Sequence, residues 1–90
     1  MTAGADRSAP SPAQIRAARA LLGWKQSDLA ARSNVSEISI KNIERGAQQP
    51  RLRTALAIEQ AFHEAGVVFL GADEMTTGGA GLRFRANEAA

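Results

Sequence analysis

Ninety residues are enough for one domain, near the small end of chains that fold without staples. The chain has no cysteine, which excludes disulfides and thiolate metal sites and suits a reducing, cytoplasmic setting. A net charge of +2 and a pI near 9.9 permit a polyanionic partner without identifying one, because placement of the cations decides.

No apolar run approaches the ~20 residues that span a bilayer, so no membrane partner is expected. Apolar residues make up 44% of the chain but aromatics 4%, so the core is expected to rest mainly on Leu, Ile, Val and Ala. Residues 1–10 are small, polar and Pro-containing. They lack the apolar stretch of a secretory signal and are expected to form a disordered arm. The first helix is announced by Ser11-Pro12-Ala13-Gln14: Ser11 to cap, Pro12 for the first helical position, Gln14 to complete a capping box. Ile15, Ala18, Leu21 and Leu22 recur at helical spacing, and Gly23 stops the run. Trp24 is expected to pack at the joint with the next helix.

A short second helix fits residues 26–33, with Leu29 and Ala30 inward. Lys25 is a poor cap, so a frayed start is expected. Asn34 can take the left-handed conformation of a tight turn. Ser36 caps a third helix to about Arg45, with Ile40 and Ile43 inward, and Gly46 ends it. A fourth helix is predicted over 51–65, its stripe formed by Leu52, Ala55, Ile58, Phe62 and Ala65. The period then changes. Val67-Val68-Phe69-Leu70 reads as a strand, residues 71–80 as a mobile Gly-rich loop, and Leu82-Arg83-Phe84-Arg85 as an alternating second strand.

Two short helices joined by a tight turn place the second one proud of the surface, where it can enter a major groove. Leu29, Ala30, Val35, Ile40 and Ile43 supply the inside of that corner, and the residues left outward on the third helix are mostly polar.

The segment Leu22-Gly23-Trp24-Lys25-Gln26-Ser27-Asp28-Leu29-Ala30, followed by Val35-Ser36, Ile43-Glu44-Arg45-Gly46 and Pro50, resembles the Cro/C1-type (Xre) family of repressors over about residues 12–66. Asn34, Lys25 and Arg51 stand where the family usually has Gly, a capping residue and Ser, and strands replace its fifth helix. The resemblance implies a mainly α fold: a four-to-five-helix, phage-repressor-like helix-turn-helix domain with a short C-terminal β hairpin or dimerisation strand pair. The expected organisation is an arm over 1–10, the DNA-binding domain over 11–66, the strand segment over 67–86 and a disordered tail over 87–90.

By the same resemblance, Gln26 would touch a DNA phosphate, and Ser36, Glu37, Ile38, Lys41 and Asn42 would face the base edges. Asn42 has the chemistry for a bidentate contact to adenine, and Glu37 can accept from cytosine N4. Ile38 can pack on a thymine methyl. Arg45, Arg51 and Arg53, with Lys41 beside them, would contact phosphate and set register. Arg19 and Glu44 are implied as an inner ion pair. Blander readings stand beside these: Glu37 also suits a helix start on dipole grounds alone, Ile38 can be a stray exposed apolar residue, and the arginines can be solubility charges.

No catalytic residue, metal site or cofactor is expected. His63 has no cysteine partner, and Asp73 and Glu74 read as loop charge without an accompanying nucleophile. Every residue of 67–70 is apolar, so both strand faces seek cover. Val68, Leu70, Leu82 and Phe84 are therefore expected to build an intersubunit sheet in a homodimer, with Leu82 and Phe84 inward; the alternative is a hairpin covering its own core. The function expected is a small transcriptional repressor that binds a near-palindromic double-stranded operator. The alternative is a DNA-binding antitoxin whose strands hold a protein partner.

Overall fold

In the computed structural model, residues 10–70 and 81–84 are described. They form α1 (Pro12–Leu22), α2 (Gln26–Ser33), α3 (Glu37–Glu44), α4 (Leu52–Glu64), β1 (Val67–Leu70) and β2 (Gly81–Phe84). The predicted arm, the 71–80 loop with Asp73 and Glu74, Arg85 and the tail lie outside the described residues, with one exception. Pro10, placed in the arm by its sequence, is buried.

Each helix end has a local cause. Ser11 Oγ accepts the Gln14 amide N–H at 3.1 Å, and Gln14 Oε1 accepts that of Ser11 at 2.9 Å, which completes the box. Lys25 donates no side-chain cap, yet α2 begins where the spacing puts it. The Asp28 carboxylate accepts the Lys25 amide N–H at 2.8 Å and secures the first turn from the other side of the box. Ser36 caps α3 through the Ser39 amide at 3.1 Å. Gly46, at φ 76°, takes the left-handed turn that lets Ala47 N–H reach Asn42 O at 2.9 Å and closes α3. The fourth helix is one residue shorter at each end than predicted, because Arg51 and Ala65 serve as its caps.

The core is largely aliphatic, as composition suggests: Ile15, Ala18, Leu29, Ile40, Ile43, Ile58, Ala61 and Val67 are all buried in it. Its centre, however, is aromatic. Phe62 is fully buried, stacks on Trp24 at 5.3 Å and meets Phe69 edge-on at 5.5 Å. Arg32 lies over the outer face of Trp24 at 4.8 Å, so a cation covers the exposed end of the stack. Trp24 thus joins α4 to the α1–α2 connection, beyond the helix joint expected of it.

Leu52 does not belong to the α4 stripe. At about 100° per residue it lies roughly 120° around the helix from Ile58, and it is 74% exposed. Ala61, about 60° from Ile58 and on the side of the helix opposite Leu52, is buried and belongs to the apolar face instead.

The strands pair with each other, antiparallel and within one chain, with Val67 opposite Phe84 and Phe69 opposite Leu82. Residues directly opposite share a face. The four residues expected at a dimer sheet therefore divide. Leu82 and Phe84 lie on the side of buried Val67 and Phe69, and Val68 and Leu70 on the other. Leu82 packs on the core. Phe84, expected inward, is 53% exposed. The reason is reach: α1 meets β2 through Gly81, and Phe84 lies three residues, about 10 Å, further along.

Gln14 makes that junction. Its Nε2 donates to Leu70 O at 3.1 Å and to Gly81 O at 2.7 Å, tying the ends of both strands to the first turn of α1. One side chain therefore caps a helix and holds a two-stranded ribbon that is marginal alone. Replacement by alanine removes three side-chain hydrogen bonds, each with a net value of about 1 kcal/mol. Gln14→Ala is expected to lower unfolding free energy by about 2–3 kcal/mol in urea titration. Hydrogen exchange should rise first at 67–70. An unchanged midpoint with full strand protection would remove Gln14 from this role.

Candidate nucleic-acid interface

The corner between α2 and α3 is built by four consecutive residues. Ser33 is buried and does two jobs: its hydroxyl donates to Leu29 O at 2.7 Å and accepts Val35 N–H at 3.3 Å. Asn34 turns the chain at φ 62° while its N–H reaches Ala30 O at 2.9 Å. Val35 packs half-buried on the core, and Ser36 starts α3. The Asn34 and Val35 amides that the turn withdraws from helix both have partners, and Asn34 supplies the left-handed residue without a glycine.

Below the corner, Leu29, Ile40 and Ile43 are buried. Above it, Ser36, Glu37, Ile38, Lys41 and Arg45 are exposed, and Ser39 and Asn42 are half-buried. Ile38 is 72% exposed. Of the five residues expected to face base edges, Ser36 is the cap of α3, Glu37, Ile38 and Lys41 are exposed on it, and Asn42 is half-buried. Arg51 and Arg53 are exposed at the start of α4.

Glu44 faces the other way. It is 3% exposed, and its carboxylate is gripped by Arg19 through Nε at 2.7 Å and Nη2 at 2.9 Å. Gln26 Nε2 adds a third bond, to Oε1 at 3.1 Å, and Arg19 Nη1 also holds Trp24 O at 3.0 Å. This places α1, the start of α2 and the end of α3 on one carboxylate. It also spends one Gln26 amide hydrogen inside the protein, leaving the second amide hydrogen for the surface.

Arg16 was missed by sequence reasoning. It is exposed, stands three residues before Arg19 on α1, and its Nη1 donates to the Glu44 carbonyl at the end of α3. The signal was the 16/19 spacing, but nothing local distinguishes a solvated arginine from one bridging to another helix. With Gln26, Lys41, Asn42 and Arg45, Arg16 lines an open concavity floored by the Arg19–Glu44 pair. The floor is neutral as a pair and the rim is cationic, a distribution suited to a phosphate-bearing chain.

Asn42 and Arg45 are not independent. Arg45 donates from Nε at 3.3 Å and Nη2 at 3.0 Å to Asn42 Oδ1. Among the described residues no cluster of His, Asp or Glu could hold a metal ion, and no helix is long and apolar enough to cross a membrane.

Breaking a buried pair from one side leaves an uncompensated charge, which costs about 3–5 kcal/mol. Arg19→Ala should therefore destabilise by about that much in denaturant titration. Arg19→Ala combined with Glu44→Leu should recover most of the loss. A deficit in the double variant equal to that of the single one would mean that Glu44 is not what Arg19 serves.

No curated protein matches the chain. A helix-turn-helix family model matches residues 15–65, more than half of its length, from the core of α1 to the end of α4. The chain belongs to the Cro/C1-type helix-turn-helix family of DNA-binding proteins.

Proposed function

We propose that this protein is a sequence-specific transcriptional repressor that lays α3 in the major groove of double-stranded DNA. The observation that carries the reading is the division of α3: Ile40, Ile43 and Glu44 anchor one side, while Glu37, Ile38 and Lys41 stand in solvent on the other. A helix held so firmly from below, with mixed polar and apolar chemistry above, is suited to base edges. In this reading Ser36, Glu37, Ile38, Lys41 and Asn42 meet bases. Gln26, Arg45, Arg51 and Arg53 meet phosphates, joined by Arg16.

The protein acts as a homodimer on a near-palindromic operator, its two reading helices about 34 Å apart. Exposed Phe84, with Val68 and Leu70 half-buried on the reverse of the hairpin, supports contact through the C-terminal strands. Leu52 and Leu56, one turn apart and exposed on α4, offer a second apolar surface for the same purpose. The exposed hairpin also supports the antitoxin reading, with a protein partner in place of a second copy. Sedimentation separates them: a concentration-dependent dimer that Phe84→Glu or Leu52→Glu dissociates supports the homodimer, and a monomer at micromolar concentration removes it.

Selection from random duplexes tests the reading itself, and should recover one symmetric site. At that site Asn42→Ala should relax the preference at one base pair per half-site, at a cost of about 1–3 kcal/mol. Arg53→Ala should instead weaken cognate and random duplexes alike. Its log–log salt slope should flatten by about 0.9 for each phosphate that the variant no longer neutralises. Equal effects of the two substitutions on both kinds of DNA would refute these roles.

A further inference from the structure

A free asparagine amide offers one acceptor end and one donor end, and adenine reading uses both: Oδ1 accepts from N6 and Nδ2 donates to N7. In this protein the acceptor end is occupied. Arg45 sits one turn after Asn42 at the end of α3, and two of its N–H groups converge on Asn42 Oδ1, at 3.3 and 3.0 Å. A guanidinium has no acceptor, so this contact also fixes which way round the amide stands. The oxygen faces Arg45 and the NH2 end keeps its hydrogen-bonding capacity.

Among the described residues nothing else competes for Arg45. The one ion pair among the described residues joins Arg19 to Glu44, and the acid nearest Arg45 in sequence is that same paired Glu44. Two of the five guanidinium N–H groups are engaged, which leaves three. Together the two side chains present donors and no acceptor. In the major groove, guanine is the base that answers with two adjacent acceptors, O6 and N7, whereas adenine sets a donor beside its one acceptor.

We infer that Asn42 and Arg45 act as one reading unit, in which Arg45 occupies the Asn42 amide oxygen and makes Asn42 select guanine over adenine. The inference rests on the proposed DNA reading and reverses the base that Asn42 alone would choose. Arg45 is here a positioning residue, which its neighbour's base preference reports, and its remaining donors stay available to guanine or phosphate.

The test is selection from random duplexes by the full chain and by its Asn42→Ala and Arg45→Ala variants, each first checked for helicity and cooperative melting. Asn42→Ala locates the position, because preference there disappears. At that position the unaltered chain should favour guanine over adenine by about 5- to 150-fold, the range of a good base contact. Arg45→Ala frees Oδ1, so the preference should collapse or invert toward adenine. A wild-type preference for adenine overturns the inference. So does an Arg45→Ala variant that binds every site more weakly with the same base preference, the signature of a plain phosphate contact.

One further readout needs no variant. With the unaltered chain, 7-deazaguanine at that position removes an acceptor and should weaken binding; unchanged affinity counts against the unit. If the unaltered chain enriches no site at all, the DNA-reading proposal itself fails, and the inference falls with it. An enriched site with the wrong base sinks the inference alone.

Discussion

The buried carboxylate of Glu44 is the constraint on which the pose of α3 depends. An ionised acid 3% exposed is costly unless it is surrounded by donors, and here three converge on it, two from Arg19 and one from Gln26. Apolar contacts from Ile40 and Ile43 attach α3 to the core, but dispersion and burial are non-directional and would tolerate some rotation of the helix. A bidentate contact between planar groups tolerates far less. The pair thereby converts a helix that is merely buried on one side into one whose outer side chains point in a set direction.

A second organising feature is the line Arg32, Trp24, Phe62, Phe69. It runs from the surface of α2 through the α1–α2 connection and the last turn of α4 to β1, so three elements and a connection share one line of contacts. In a chain with few aromatic residues, placing Trp24 and Phe69 on either side of Phe62 concentrates burial where the helices meet the ribbon. Gln14 completes the attachment at the far end of the hairpin through the carbonyls of Leu70 and Gly81. The ribbon is thus held at one end by packing and at the other by hydrogen bonds, and each strand keeps an outer edge that no described element covers.

The local elements were readable because their causes are local. Ser11 and Gln14 carry the start of α1 in four residues, Ser36 starts α3, and Gly23, Asn34 and Gly46 mark the left-handed stops. Where a local cause was misjudged, the error was small. Lys25 is indeed a poor cap, but Asp28 three residues on supplies the bond from the opposite direction. Leu52 was misplaced because a stripe read from spacing includes any apolar residue near the right phase, and about 120° is outside it. The family resemblance carried the Arg19–Glu44 pairing, which no periodicity could have given.

Order of elements, corner chemistry and the polar character of the α3 surface are written in the chain, since capping, turn preference and helical period act over a few residues. Tertiary structure alone decided that Gln14 clamps the hairpin, that Arg16 crosses to the end of α3, and that Ser33 is buried to close the turn. It also divided Val68 and Leu70 from Leu82 and Phe84, because strand register, not composition, determines which residues share a face. Long polar side chains can satisfy themselves with water or with any donor or acceptor in reach. Which partner they meet depends on atoms brought together from distant parts of the chain, and no local pattern encodes that meeting.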